Sequence, residues 1–221
     1  MVYSLSEEDY LKAIYSLYEE KPRPIATSKL AGYLSTKASS VTEMIQKLNE
    51  KKLVIYQKYR GVYLTKDGEN QALQIIRKHR LWEYFLVETL DFKWDEVHNI
   101  AEQLEHIKSD MLVDKLDAYL DYPKFDPHGD PIPDKDGILK DQHKILLAEA
   151  AIDQPMIIVG VKDSSADFLR FLEKKNLSLG TIIKVTEQEE FDHSVSVLHK
   201  NQEIQLSAIA AKNIYVQPND K

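Results

Sequence analysis

Residues 27–65 read TSKLAGYLSTKASSVTEMIQKLNEKKLVIYQKYRGVYLT. The first half holds two apolar stripes at helical spacing, separated by the short polar turn at 35–38. The second half holds two β-rich runs, 53–56 and 62–65, on either side of the short basic loop 57–61. Two helices followed by a hairpin predict the second and third helices and the wing of a winged helix-turn-helix.

The first helix of such a unit is predicted immediately upstream. Ser6 stands before Glu7, Glu8 and Asp9, and acids in the first turn favour a helix N-terminus. Apolar residues then repeat at helical spacing until two prolines end the pattern. Thr27 can cap the second helix.

In a winged helix-turn-helix, the third helix lies in the major groove of DNA and the hairpin contacts the phosphate backbone. The outward positions of the third helix here are small and polar with lysines beside them, and the hairpin tip is basic. The predicted DNA contacts are Lys37, Ser39, Ser40, Thr42, Glu43, Gln46, Lys47, Lys58 and Arg60. An ordinary solvated helix face would carry similar residues, because amphipathic three-helix units are common, but the basic hairpin tip favours DNA binding.

The composition limits the classes of protein to consider. The chain has 221 residues, enough for two small domains or one medium one, and its apolar content of 43% is sufficient for a packed core. It has no cysteine, which excludes disulfides, iron–sulfur clusters and thiolate metal sites. Because the sequence shows neither a long apolar run nor a signal-peptide pattern, we expect a cytoplasmic protein without a membrane segment.

The net charge of −7 is unevenly distributed along the chain. Residues 1–80 hold 14 Lys or Arg against 9 Asp or Glu, whereas residues 81–137 hold 5 against 15. Residues 138–221 hold 10 against 12. A basic first third joined to an acidic middle is typical of a polyanion-binding part followed by a cation-binding part, although chance variation in surface charge would look the same.

Helices and then strands are predicted beyond the hairpin. Residues 121–137 contain four prolines and two glycines, which predicts an ordered loop or linker. From residue 155 onward, short β-rich runs around one helix predict a small β-barrel or sandwich. The helices are expected at 66–90, 95–108, 109–120 and 166–175, and the β-rich runs at 156–161, 181–186, 194–198 and 214–216.

Candidate metal ligands are concentrated in the stretch VHNIAEQLEHI at 97–107. On a helical projection, His98, Glu102, Glu105 and His106 form a band beside an apolar stripe. Exposed helix faces are rich in Glu, and a lone His among them usually binds nothing. Three histidines, each three or four residues from a Glu, on two consecutive helices favour a metal site.

Other candidate donors lie outside this stretch. His79 and Glu83 are one turn apart on the preceding helix, and Asp9 is a candidate from the first helix. The alternative role of Asp9 is a favourable interaction with the dipole of its own helix. Imidazole nitrogen and carboxylate oxygen suit Mn²⁺, Fe²⁺, Co²⁺ or Zn²⁺, and the absence of sulfur favours the harder ions.

Five segments, in order, resemble the diphtheria-toxin-repressor family of bacterial iron- or manganese-dependent repressors. They are EDYLKAIYSL (8–17), SSVTEMIQKL (39–48), RKHRLWEYFL (77–86), HNIAEQLEHIKSD (98–110) and PKFDPHGDPIP (123–133). The final β-rich part is similar to the SH3-like, FeoA-type domain of the longer members. The expected fold class is therefore mainly α with small β parts (α+β).

The resemblance implies a homodimer that binds double-stranded operator DNA. It implies a winged helix-turn-helix DNA-binding domain at 1–71 and a helical metal-binding and dimerisation domain at 72–137. A connecting segment at 138–154 would then lead to an SH3-like β-barrel of the FeoA type at 155–221.

The resemblance also implies a primary metal site made by Asp9, Glu102, Glu105 and His106. Iron-sensing members typically have Met at the first of these positions and Cys at the second, so this sequence resembles the manganese-sensing branch. Lys12 stands where some manganese sensors have a second glutamate, which puts a binuclear site of their kind in question.

An ancillary metal site is implied in the same way. Its core matches His79, Glu83 and His98. In three-domain manganese regulators, ligands also come from the third domain and from a loop that reads PHG at 127–129 in this sequence. The matching residues are Asp126, His128 and Asp163, with Asp167 as an alternative to Asp163.

Together these observations predict a metal-dependent transcriptional repressor with Mn²⁺ as its effector and Fe²⁺ as the alternative. Metal would join Asp9 on the first helix to ligands of the next domain and so fix the orientation of the two recognition helices in the dimer. A metalloenzyme is the alternative of another class, but we do not expect an enzyme, because no nucleophile or acid–base constellation accompanies the ligands. A winged-helix protein regulated by a protein partner or an organic ligand is a further alternative.

Overall fold

The computed structural model describes residues 3–20, 22–140 and 142–219 and shows two compact units. The first unit takes in the chain up to His79 together with Glu102–Lys115 and Pro133–Ile138. The second unit contains Arg80–Ala101, Leu116–Ile132 and the chain from Leu139 onward. Among the described residues, none of the helices has the length and apolar content that crossing a membrane requires.

The first unit contains the predicted winged helix-turn-helix. Its elements are α1 (Leu5–Glu20), α2 (Thr27–Tyr33), α3 (Ala38–Glu50), β1 (Val54–Gln57), β2 (Gly61–Leu64) and the start of α4 (Lys66–Leu90). The apolar stripes of the three helices form the core of this unit. Leu11, Ile14, Leu30, Ile45 and Leu48 are fully buried.

Helix α1 begins earlier than the sequence pattern predicts. The hydroxyl of Ser4 accepts a hydrogen bond from Glu7 N at 3.4 Å, and the Glu7 carboxylate accepts one from Ser4 N at 2.9 Å. This reciprocal pair is a capping box, so Ser4 is the N-cap, whereas Ser6, expected at the start of the helix, lies within its first turn. Thr27 is likewise the first residue of α2, and the cap position before it is Ala26.

The wing is an antiparallel hairpin whose turn depends on Gly61. Val54 pairs with Leu64 and Gln57 with Gly61. Gly61 has a φ of 117°, and a Cβ there would lie 2.6 Å from the carbonyl oxygen of Ile25. A side chain at this position would therefore suffer both backbone strain and a clash.

Helix α4 has the predicted bounds, but the next helix is shorter than predicted. Helix α5 spans His98–Leu104 only, and α6 spans Asp110–Tyr119. Ile107 N bonds to Leu104 O, three residues back, so the chain leaves α5 through a tighter turn. Glu105 and His106 lie in that turn and not on the helix.

The C-terminal part is a six-stranded antiparallel sheet in the order β3-β8-β4-β5-β6-β7. Its strands are β3 (Ile145–Leu146), β4 (Pro155–Val161), β5 (Ile182–Gln188), β6 (Val195–His199), β7 (Gln202–Leu206) and β8 (Ile214–Pro218), with helices α7 (Ala166–Lys174) and α8 (Ala208–Ala211) between them. The two short elements β3 and α8 and the edge strand β7 were not predicted. The mixed α and β fold class is confirmed.

Candidate metal centres and DNA-contacting surface

One donor group in the first unit joins α1 to the turn after α5. Ligand atoms of Asp9, Glu105 and His106 all lie within 4.8 Å of one another. His106 Nε2 is 3.2 Å from Asp9 Oδ1, and the Glu105 side chain is almost completely buried. Two carboxylates and one imidazole at this spacing fit a divalent cation of the Mn²⁺ to Zn²⁺ series.

Glu8 orients the imidazole of this group. Its Oε2 lies 2.7 Å from His106 Nδ1, on the side of the ring opposite to Nε2 and Asp9. A carboxylate on one ring nitrogen fixes the tautomer that leaves the other nitrogen free to bind a metal. From the sequence, Glu8 is expected only as an acid in the first turn of α1, because spacing along the chain cannot show a partner 98 residues away.

Glu102 belongs to a second donor group that shares Glu105 with the first. The other member is His79, and ligand atoms of the three residues lie within 4.8 Å of one another. His79 Nδ1 is 2.5 Å from Glu105 Oε2. The structure thus brings together Asp9, Glu105 and His106 as the resemblance implied, but directs Glu102 towards His79.

The ammonium of Lys12 lies among the donors of the second group. Its Nζ is 2.7 Å from Glu102 Oε1 and 2.7 Å from Glu105 Oε2. Burial alone would lower the pKa of Lys12, but the two carboxylates outweigh it and raise the pKa above its ordinary value. Lys12 is therefore held as a cation beside the candidate metal ligands.

Asp9 lies in a negative environment. Burial, Glu105 and Glu102 raise the pKa of its carboxyl above the ordinary value, and His106 and Lys12 only partly oppose them. A cation bound at Asp9 would relieve this repulsion, because it would neutralise carboxylates that otherwise repel one another.

A further donor group lies in the second unit. Glu83, Asp126 and His128 are all buried, and their ligand atoms lie within 4.8 Å of one another. Glu83 Oε1 is also 3.3 Å from Nδ1 of the exposed His98, and His79 precedes Glu83 by one turn of α4. These are the predicted ancillary residues apart from Asp163.

The electrostatics of this group depend on Glu83. Burial alone would lower the pKa of His128, but Glu83, Asp126 and the carbonyl of Trp94 raise it to about 9. The pKa of Asp126 is raised by burial and by the carboxylates of Asp130 and Glu83. His128 Nε2 lies 2.8 Å from Trp94 O, which leaves Nδ1 facing Glu83 at 3.4 Å.

The PHG loop that carries His128 is fixed against β4. Val161 N donates to His128 O at 2.9 Å, and Asp126 Oδ1 accepts from His128 N at 2.8 Å. Gly129 has a φ of 84°, and a Cβ on it would lie 2.1 Å from Val159 O. Only glycine allows this close approach of the loop to β4.

Neither candidate from the C-terminal part is placed in a donor group. Asp163 Oδ1 accepts a hydrogen bond from Ser165 N at 2.8 Å, before α7. Asp167 pairs with Arg170 at 2.7 Å and is exposed. Within the described ranges, no group of three or more metal donors includes Asp163 or Asp167.

The predicted DNA-contacting residues form the outer side of α3 and the tip of the wing. All are exposed except Thr42, which is partly buried and donates its hydroxyl to Ala38 O at 2.9 Å. Lys47 is also 3.1 Å from Glu7, which ties α3 to α1. Tyr59, between the two basic residues of the wing, is 94% exposed and was not predicted.

Three family models match the chain in order. They are the iron dependent repressor N-terminal DNA binding domain at residues 3–62, the iron dependent repressor metal binding and dimerisation domain at 65–134, and the FeoA domain at 145–218.

Individual relatives agree with these models. An uncharacterized HTH-type transcriptional regulator of Methanocaldococcus jannaschii is 39% identical over 118 residues, which is 53% of this chain and 94% of the relative. The HTH-type transcriptional regulator MntR of Bacillus subtilis is 36% identical over 53% of this chain and 81% of its own length. The diphtheria toxin repressor of Corynebacterium jeikeium is 28% identical over 80% of this chain and 75% of its own length. The chain belongs to the diphtheria-toxin-repressor family.

Solved structures of this family superimpose on almost the whole chain. A manganese-dependent transcriptional repressor in complex with manganese has a TM-score of 0.87 and 35% identity, and covers 96% of this chain and 100% of its own. ScaR with bound Zn²⁺ has a TM-score of 0.80 and 38% identity, over 96% of this chain and 99% of its own. The protein is a metal-dependent transcriptional repressor, as predicted.

Proposed function

We propose that this protein represses transcription in response to Mn²⁺ and binds operator DNA as a homodimer. The observation that carries the proposal is the donor group of Asp9, Glu105 and His106. Asp9 lies on the first helix of the DNA-binding unit, whereas Glu105 and His106 follow α5, so a cation held by all three would link two separate segments of the chain.

The donor set supports Mn²⁺. Asp9, Glu105 and His106 offer oxygen, oxygen and nitrogen, and the chain has no cysteine to offer sulfur. Hard donors accept Mn²⁺ but do not exclude Fe²⁺, because intrinsic affinities rise from manganese towards copper. Fe²⁺ is the second candidate, favoured by the match to the iron dependent repressor domains.

Contacts of α1 explain how metal binding would reach the DNA-contacting helix. Glu7, two residues before Asp9, bonds to Lys51 at the end of α3 at 2.6 Å and to Lys47 at 3.1 Å. Any shift of α1 towards a bound cation would therefore displace α3. Coupling between two sites of this kind typically amounts to about 1–3 kcal/mol.

We also propose an ancillary site and the domain division that the sequence implies. The buried Glu83, Asp126 and His128, with His98 and with His79 one turn earlier on α4, would hold a second ion. Asp163, whose Oδ1 accepts a hydrogen bond from Ser165 N, would add a ligand from the C-terminal part, with Asp167 as the alternative. The division is 1–71, 72–137, 138–154 and 155–221.

The test is an operator-binding titration. Fluorescence anisotropy with labelled operator DNA should show tight binding in the presence of Mn²⁺. Thorough chelation should lower the affinity at least about tenfold, which equals about 1.4 kcal/mol of binding free energy. Asp9→Ala should abolish the response to Mn²⁺, because it removes one of the three donors. Asp67→Ala, an exposed acid at the start of α4, is the matched control and should respond normally. Tight operator binding by the chelated wild type would refute metal gating.

A further inference from the structure

Lys12 occupies the centre of the second donor group. Its Nζ contacts one atom of each of the three donors, at 2.7 Å from Glu102 Oε1, 2.7 Å from Glu105 Oε2 and 3.2 Å from His79 Nδ1. The Lys12 side chain is only 17% exposed, and its carboxylate partner Glu105 is buried. Two oxygens and one nitrogen around a small space are the surroundings that a divalent transition-metal ion prefers, yet the cation in that space is an ammonium.

The charges of the two groups balance with a single metal ion. The carboxylate of Glu8, behind His106, interacts electrostatically with Lys78. Asp9, Glu102 and Glu105 supply the three carboxylates around the shared space. One divalent ion together with the ammonium of Lys12 neutralises them. A second divalent ion beside Lys12 would instead leave excess positive charge in a partly buried site, where repulsion is only weakly screened.

We propose that Lys12 is a built-in monovalent cation that fills the second cation position of this site. As a result, the group of Asp9, Glu105 and His106 takes one divalent ion, and Lys12 determines that number. Lys12 also holds Glu102 and Glu105 in place, so it positions Glu105 for the ion at Asp9. The inference rests on the proposed metal site and specifies how many ions it holds.

The experiment counts Mn²⁺ ions in the full-length protein. Equilibrium dialysis followed by elemental analysis gives the number per chain, and electron paramagnetic resonance shows whether two Mn²⁺ ions are spin-coupled through a shared carboxylate. Lys12→Glu should bind one more Mn²⁺ per chain than the wild type and show a coupled pair, since Glu105 would bridge the two ions. Lys66→Glu makes the same charge change on an exposed lysine of the same unit and should match the wild type.

Two further measurements keep the inference separable from folding and from the proposed function. If Lys12→Glu does not fold, Lys12→Gln removes the ammonium without adding a charge and should also bind an additional ion. A coupled Mn²⁺ pair in the wild type, or a folded Lys12→Glu protein with the wild-type ion count, would overturn the role of Lys12. If the Asp9→Ala protein binds as many Mn²⁺ ions as the wild type, the proposed metal site itself is wrong.

Discussion

Glu7 links the start of α1 to the DNA-contacting helix. Its buried carboxylate contacts Lys51 Nζ at 2.6 Å and Lys47 Nζ at 3.1 Å, and it accepts the capping hydrogen bond from Ser4 N. Burial alone would raise the pKa of Glu7, but Lys51, the Ser4 amide and Lys47 outweigh it and lower the pKa from 4.5 to about 2. The charged form is therefore favoured by folding.

We expect Glu7→Gln to destabilise the protein at neutral pH and to have less effect in acid. The unfolded carboxyl titrates near 4.5 and the folded one near 2. The ionised Glu7 carboxylate therefore contributes its full stabilisation of the fold above the pKa of the unfolded state. This contribution is lost as the pH falls towards the pKa of the folded state. The shift corresponds to about 3 kcal/mol.

Urea unfolding of the wild type and the variant across this pH range would measure the difference. Glu50→Gln, an exposed acid at the end of α3, is the control and should change stability by less than about 0.5 kcal/mol. If the difference in unfolding free energy between Glu7→Gln and the wild type stays constant down to the pKa of folded Glu7, the lowered pKa of Glu7 is wrong.

Candidate donor residues can be selected from the sequence more readily than the residues that contact them. Residue types and spacing were sufficient to select His79, Glu105 and His106, because His and Glu one turn apart are visible in the sequence. The contacts of Lys12 and Glu8 join residues 67 or more positions apart, such as Lys12 with His79 and Glu8 with His106. Such long-range pairings are set by tertiary packing and are not encoded in local periodicity.

At the scale of elements, long periodic helices were predictable and short or polar elements were not. Helix α4 has the predicted bounds because 25 residues of apolar repeat leave little alternative. Helix α5 was predicted too long, since the helical projection continued through the turn that places Glu105 and His106 inward. Strand β7 reads QEIQL, and an edge strand with polar residues lacks the apolar run by which strands are recognised.

The wing gives a prediction about an element. If Lys58 and Arg60 contact phosphates, replacing either by Ala should reduce the dependence of operator affinity on salt by about one unit in the log–log slope. Tyr59→Ala is the matched control, because Tyr59 lies between them, is also exposed and carries no charge. Its salt slope should equal that of the wild type, whatever happens to its affinity.

Anisotropy titrations over a range of salt concentrations would decide this. If the Lys58→Ala and Arg60→Ala proteins keep the salt dependence of the wild type, the wing does not contact the DNA backbone. Changes at Ser39, Ser40 or Glu43 on α3 should instead alter which bases are preferred and leave the slope nearly unchanged.

At the scale of the whole molecule, α6 presents an apolar surface suited to a second copy of the chain. Met111 and Tyr119 are 70% and 68% exposed, and Leu112 is also exposed, while Val113 and Leu116 on the same helix are buried. Helix α6 lies within the match to the metal binding and dimerisation domain at 65–134. A contiguous patch of exposed apolar side chains typically marks an interface.

We therefore expect Met111→Asp or Tyr119→Asp to dissociate the proposed homodimer. A charge placed in an apolar interface loses its hydration without gaining a partner, so the dissociation constant should rise at least about tenfold, equal to about 1.4 kcal/mol. Operator affinity should fall with it, because two recognition helices must reach two half-sites about one DNA turn apart. Phe191→Asp is the matched control, since Phe191 is a 97% exposed aromatic residue outside that domain match. Sedimentation velocity would measure the assembly state, and the control should remain dimeric. If the Met111→Asp and Tyr119→Asp proteins also remain dimeric, the interface lies elsewhere.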